Sequence, residues 1–435
     1  MSRAFVRSGM PLRRIQPEAH CCMRLTLFLL LLLAGLAHSA GLDGKVMCGY
    51  QGWFRVPADG SENGWFHYGA GGVFEPGKCN IDLWPDVREL PAEDRFPTPF
   101  KFADGSTAEV FSSVRPSTVA LHFRWMKEYG IDGVFVQRFA GITRDERFRK
   151  PTDNVLEACR ASAKETGRTF VVMYDLSGQT RDAAQTVITD WKRLEAQYHL
   201  TDAAQTPAYQ SHRGRPLVAL WGCGFNDRPA MLDEWRTMIR YFKTEARCSV
   251  MLGVPAYWRT LDRDTISDAA LHAVIREADV VSPWNVGRYD SPEGAARHAA
   301  KTTAADVSWC REHGLDFMPV AFPGFSWHNM SAHRGREQKL DAIPRRGGEF
   351  LWSQFAGFHR AGARSLYVAM FDEMDEGTAI FKIRQDPPVG ASPFVAEKGL
   401  PGDHYLWLTG KGGELLRGKL SAGTEKPPER KPDKE

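Results

Sequence analysis

Eight short apolar runs, each bounded by segments with helical spacing, constrain the fold of this chain more than any other feature. The runs cover residues 45–53, 133–139, 169–175, 216–222, 248–254, 279–286, 316–325 and 365–371. They are rich in Val, Phe and Tyr, as parallel strands buried on both faces require. Residues 115–130, 153–167, 185–198, 230–246, 267–278, 293–313 and 349–361 carry apolar residues three or four apart. Met231, Trp235, Met238, Ile239 and Phe242, for example, fall on one helical face. Eight strand–helix alternations predict an α/β fold, a single (β/α)8 TIM-type barrel. A doubly wound open sheet is the runner-up. No G-x-G-x-x-G follows an early strand, which speaks against a dinucleotide fold.

The first strand-to-helix connection, residues 55–114, is long and rich in Gly and Pro. Loops of that length carry function or local structure of their own. Residues 1–39 read as an export signal. Arg13, Arg14 and Arg24 precede the apolar stretch 25–37, and Ala37-His38-Ser39 supplies small residues for cleavage. The mature chain is then expected to start near Ala40, in a secreted or periplasmic location. The apolar stretch is short for a membrane span. Met23 followed by Arg24 would make a tidier signal start than Met1. Residues 40–420 form the expected barrel domain, and 421–435, rich in Lys, Glu and Pro, a disordered tail.

The 435 residues carry a net charge of +3, which gives no reason to expect a nucleic-acid partner. Of the eight cysteines, Cys21 and Cys22 fall in the signal; the others, at 48, 79, 159, 223, 248 and 310, form no C-x-x-C pair. A zinc site is not expected. One or two disulfides would be compatible with export, but Cys48, Cys223 and Cys248 lie in or beside apolar strands and read as buried thiols. Thirteen tryptophans lean toward carbohydrate, because indole faces stack on sugar rings, although most aromatics are core residues.

Barrel enzymes place their chemistry at the C-terminal ends of the strands. Here those ends carry Tyr50 and Trp53, Gln137 and Arg138, Tyr174 and Asp175, Trp221, Trp284 and Asn285, and Trp327. His67 joins them from the first long loop. Singly each has an ordinary explanation as a packing, capping or ion-pair residue. Together, aromatic platforms, amides, an Arg and carboxylates at one rim describe a sugar pocket. The eighth run ends in Asp372-Glu373-Met374-Asp375-Glu376, four carboxylates in five positions. Acids this close repel one another, and a fold that keeps them has work for them. Glu373 and Glu376 are three apart, so on a helical turn they face the same way with β-carbons about 5–6 Å apart. Retaining glycosidases use two carboxyls about 5–5.5 Å apart. Asp372 and Asp375 read as turn caps, or as tuners of their neighbours that contact substrate.

The block Asp372-Glu373-Met374-Asp375-Glu376-Gly377-Thr378 resembles the Asn-Glu-Trp-x-Glu-Gly-Thr element of glycoside hydrolase family 99, in the family 99 and family 71-like group. Tyr50-Gln51-Gly52-Trp53-Phe54 and Gly64-Trp65-Phe66-His67-Tyr68 are similar to its N-terminal aromatic and His-Trp elements. The resemblance spans residues 42–383. It implies a retaining α-glycosidase on a (β/α)8 barrel, without metal or cofactor. Glu373 would be the base on the sugar 2-hydroxyl, Glu376 the general acid and base, and Tyr50 a neighbour of the reacting sugar. Met374 stands for an aromatic and Asp372 for Asn, so the sugar stays open between α-mannosidase-like and xylosidase- or arabinosidase-like substrates. Two alternatives stand beside the hydrolase: a non-catalytic glycan-binding protein on the same barrel, and a Ca²⁺ or Mg²⁺ site built from the four acids.

Overall fold

A computed structural model describes residues 1, 4, 41–420 and 425–427. The expected export signal apart from residues 1 and 4, and the expected charged tail 421–435 apart from residues 425–427, lie outside the described residues. Strands and helices alternate from Leu42 onward, within a unit assigned to Leu42–Glu435.

The strands are β1 (Val46–Tyr50), β2 (Phe96–Lys101), β3 (Thr107–Val110), β4 (Gly133–Phe139), β5 (Thr169–Asp175), β6 (Ser211–His212), β7 (Arg215–Trp221), β8 (Ser249–Pro255), β9 (Val280–Trp284), β10 (Asp316–Phe317), β11 (Val320–Ala321) and β12 (Leu366–Val368). The main sheet runs β10-β9-β8-β7-β5-β4-β1-β12-β11, all parallel. Its two ends belong to one stretch of chain. β10 pairs with β9 through Asp316 and Val280, and β11 pairs with β12 through Val320 and Tyr367. The sheet therefore closes on itself as a TIM-type barrel, through a seventh strand broken at Met318-Pro319. That break departs from the continuous strand expected over 316–325. Pro319 has no N–H to donate, but its carbonyl accepts from Tyr367 N at 3.0 Å.

Two apolar clusters divide the strands by parity. Met47, Phe135, Val171, Met173, Leu217, Ala219, Met251, Met318 and Tyr367 fill the barrel interior. Cys48, Tyr50, Val134, Val136, Val172, Tyr174, Val218 and Leu220 join a second cluster with the surrounding helices. Alternation along each strand produces this split. The six cysteines at 48, 79, 159, 223, 248 and 310 are free and buried, so the disulfides left open above do not form.

The expected helices are present, with adjustments. The 293–313 segment runs as Pro292–His298, a π-turn Ala299–Thr303, and Ala304–Glu312. The long loop holds the antiparallel pair β2–β3. An additional helix, His404–Leu416, packs beside Pro116–Tyr129 and Glu349–Arg360. Its glycines argue against helix in sequence terms, at about 1 kcal/mol each. The packing needs them: a Cβ on Gly410 would lie 2.0 Å from Tyr129 O.

Candidate active site

Strand parity decides which residues reach the open end of the barrel. Met47 and Gly49 face inward, so Gln51 follows them and Tyr50 does not. Tyr50 is completely buried on the outer face. Its hydroxyl meets His122 Nδ1 at 2.8 Å and its ring packs on Phe371. This corrects the expectation that Tyr50 touches the reacting sugar. Arg138 and Tyr174 are corrected for the same reason. Arg138 is sealed between barrel and helices in ion pairs with Asp190 and Asp153, the latter at 2.8 Å. Tyr174 donates to Asp190 Oδ2 at 2.9 Å. Each lies one residue from an inward neighbour, Gln137 or Asp175.

The acid cluster sits on the turn after β12, and its four carboxylates diverge. Asp372 accepts the backbone N–H groups of Gln51 and Gly52, each at 2.8 Å. It ties the eighth strand to the first and is completely buried. Gly52 has φ +59°, and a Cβ there would lie 2.6 Å from Val155 Cγ1, so only Gly lets this N–H present itself. Glu373 accepts from Gln51 Nε2 through Oε1 and from Thr378 Oγ1 through Oε2, both at 2.8 Å. Asp375 Oδ2 meets His67 Nδ1 at 2.7 Å. Glu376 is half-buried, and no described side chain hydrogen-bonds its carboxylate. The described residues contain no group of three or more His, Cys, Asp or Glu arranged to hold a metal ion.

The long loop braces this turn. Asp82 is buried, and its N–H donates to Met374 O at 2.9 Å. Its carboxylate accepts Ser326 Oγ, His328 N and Asn329 N. Ser326 N in turn donates to Glu376 O at 2.9 Å. Met374 is buried.

Burial and mutual repulsion raise the acids. Glu376 is pushed up to about 7, by burial first and then by Asp375, with Asp175 adding and Arg334 opposing. Glu373 is raised well above the carboxylate range by burial, then by Glu376 and Asp375. Asp372 rises to about 7 and Asp175 to about 6, both chiefly through burial. Glu373 and Glu376 interact, so their protons belong to the pair. Two donors converge on Glu373 and none on Glu376. Hydrogen bonding therefore favours charge on Glu373, while its deeper burial favours the proton there, and the two carboxyls share the titration.

Of the expected residues, His67 reaches this turn through Asp375 and brings Trp53 with it. His67 stacks flat on Trp53, with ring centroids 3.8 Å apart, and Trp53 stacks on Phe139. Gln137 donates to Tyr367 OH at 3.1 Å and leaves its own Oε1 unpaired. Asp175 accepts from Ser177 N at 2.7 Å. Trp221 and Trp284 meet edge to face at 5.3 Å, and Arg228 lies over the Trp221 ring. Trp327 lies under Arg334 and keeps an unpaired Nε1. Asn285 is fully buried; it donates to Val320 O at 3.0 Å and ties the end of β9 to β11. Gln51 and Thr378, which grip Glu373, were absent from the expected site. Gln51 could have been found by counting inward positions from Met47.

No protein-family model matches the chain, and no curated protein matches it by sequence. The structure is similar to that of the GH99 endo-alpha-mannosidase from Bacteroides thetaiotaomicron. Identity is 15%, the match covers 87% of this chain and 98% of that one, and the TM-score is 0.62. A structure of that organism's enzyme in complex with bis-tris-propane matches at 15% identity, over 88% and 100% of the two chains, with a TM-score of 0.60. At this identity the likeness shows a shared barrel fold.

Proposed function

We propose that the protein is an exported glycoside hydrolase that cleaves α-glycosidic bonds in a glycan with retention. One observation carries the reading. Glu373 and Glu376 sit on one turn at the open end of the barrel, with two donors gripping Glu373, none on Glu376, and both carboxyls raised by burial and by each other's neighbourhood. The fold shared with an endo-alpha-mannosidase supports it.

In the first step Glu373 takes the proton of the sugar 2-hydroxyl, whose oxygen attacks the anomeric carbon. The glycosidic bond breaks, and Glu376 gives its proton to the leaving oxygen. A 1,2-anhydro sugar results. In the second step Glu376 takes a proton from water, the water oxygen attacks the anomeric carbon, and the ring-opened 2-oxygen recovers its proton from Glu373. Two inversions give retention. Glu376 must be protonated first and ionised later, so a pKa near the working pH serves both steps. The sugar stays open between α-mannosidase-like and xylosidase- or arabinosidase-like substrates.

The test is hydrolysis of α-mannans, α-glucans, xylans and arabinans by the purified chain, with the anomer of the released product determined. Glu376→Gln and Glu373→Gln should each lower turnover at least 10³-fold while glycan binding persists. Unchanged turnover in either variant refutes the assignment, and binding without hydrolysis on every substrate points to the glycan-binding alternative.

A further inference from the structure

The acid turn rests on two separate supports. On one side Asp372 accepts from Gln51 N and Gly52 N, and Glu373 is gripped by Gln51 and Thr378. On the other side, toward Glu376, the support comes from the long loop and centres on Asp82, which is completely buried. Every polar group of Asp82 is used. Its N–H donates to Met374 O at 2.9 Å, and its carbonyl accepts from Val395 N at 2.8 Å. Its Oδ2 accepts from Ser326 Oγ at 2.6 Å and from His328 N at 2.7 Å, and its Oδ1 accepts from Asn329 N at 2.9 Å. His328 and Asn329 open the short helix His328–His333, and the first N–H groups of a helix have no partner within it. Asn329 returns the contact through Nδ2, which donates to Ile81 O at 3.0 Å and Pro393 O at 2.8 Å.

Ser326 carries this grip to the acid turn. Its N–H donates to Glu376 O at 2.9 Å. Gly377 follows at φ +63°, and a Cβ there would lie 2.8 Å from Ser326 Cβ and 2.9 Å from Ser326 N. The two backbones therefore touch, with no side chain between them to absorb a shift. Burying a carboxylate is costly. Burial raises Asp82, and the hydrogen bonds from Ser326, Asn329 and His328 oppose the rise. An amide cannot take its place: a backbone N–H faces each oxygen, so an amide nitrogen at either position meets a donor head-on.

We propose that Asp82 is a positioning residue for the general acid, holding the backbone of Glu376 through Ser326 and Met374 so that its carboxyl reaches the leaving oxygen. Asp82 acts through Glu376 and not on the substrate. The inference rests on the glycoside-hydrolase reading and adds a residue that serves one acid of the two, because the donors on Glu373 come from Gln51 and Thr378.

The test is Asp82→Asn in the full chain, with kcat/KM measured on the glycan that the unsubstituted chain hydrolyses and on the α-fluoride of the same glycosyl unit. A sugar leaving group needs the proton of Glu376, whereas fluoride departs as the anion without it. A displacement of about 1 Å costs on the order of 100-fold, so the glycan should lose about that much and the fluoride less than about threefold. Equal losses on both would mean that Asp82 serves folding alone, and no loss on the glycan that Glu376 needs no brace; either result overturns the proposal. Hydrogen exchange of the folded chain, read by mass spectrometry, tests the brace without turnover. In Asp82→Asn the peptide 371–380 should exchange at least about fivefold faster while the β4 peptide 133–139 keeps its rate. Unchanged exchange in 371–380 overturns the proposal. If Asp82→Asn does not fold, Ser326→Ala replaces it: one of the donors to Asp82 is lost, and the same pattern should appear at about tenfold on the glycan and about twofold in exchange. Failure to hydrolyse any glycan counts against Glu373 and Glu376, and unchanged exchange counts against Asp82.

Discussion

Asp375 raises Glu376, and Coulomb's law gives the order of the effect. After burial, its charge is the largest influence raising Glu376 to about 7. Two like charges at roughly 6.5 Å with an effective dielectric near 20 repel by about 2.5 kcal/mol, equivalent to nearly two pH units. Solvent reaching the half-buried Glu376 screens part of that repulsion. Asp375→Asn should therefore lower Glu376 by about one unit. The general acid governs the alkaline limb of the kcat/KM profile. The limb should move from near 7 toward 6, and the protonated fraction at pH 7 should fall about fivefold. The other charged groups facing Glu376, namely Glu373, Asp175 and Arg334, are unchanged in this variant. A limb that stays in place in Asp375→Asn, or moves upward, refutes the reasoning.

Thr378→Val removes a donor from Glu373 Oε2. A hydrogen bond to a charged group contributes about 1.5–3 kcal/mol, so kcat should fall about 10- to 100-fold in single-turnover assays; an unchanged kcat would show that Glu373 needs no second donor. Arg138→Met removes the buried one of the two cations that Asp190 and Asp153 share, leaving them the part-exposed Arg193. Urea denaturation should show a loss of about 3–5 kcal/mol, whereas a loss below about 1 kcal/mol would mean the network is dispensable. Stability should also depend on pH. Asp306 and Asp372 are both raised by burial from 3.8 to about 7, so between those values the folded chain holds protons that the unfolded chain has released. Each group then contributes stability that is complete below about 3.8 and is lost as pH rises to about 7, at about 1.4 kcal/mol per unit. His122 and His298, lowered by burial to about 3 and about 4, act oppositely below 6.5 but are outnumbered by the raised acids. The melting temperature should therefore climb as pH drops from 8 to about 6, and a flat or falling trend would contradict the buried-acid picture.

The barrel was legible because its signal is repeated and local: eight apolar runs, each long enough to cross a layer. The site was legible only where the signal was equally local. Glu373, Asp375 and Glu376 share one turn, and no tertiary information is needed to bring them together. The misplaced residues came from treating both members of a strand-end pair as exposed to one side. A strand can turn only one of Gln137 and Arg138, or of Tyr174 and Asp175, into the barrel. The parity was written in Gly49, where a Cβ would lie 2.2 Å from the Tyr367 hydroxyl, so that position faces the crowded interior. Counting from it selects Gln51 and rejects Tyr50. Arg55 and Asp82 had no such signal. Both lie in the long loop, whose course is set by distant contacts. Asp82 binds Ser326, His328 and Asn329, and Asp59 binds Ser112. No spacing rule links residues some 245 positions apart. The loop therefore holds what sequence periodicity leaves undetermined: the brace beneath the acid turn, and the buried Arg55 guanidinium, whose hydrogen bond among the described residues is to Thr152 Oγ1.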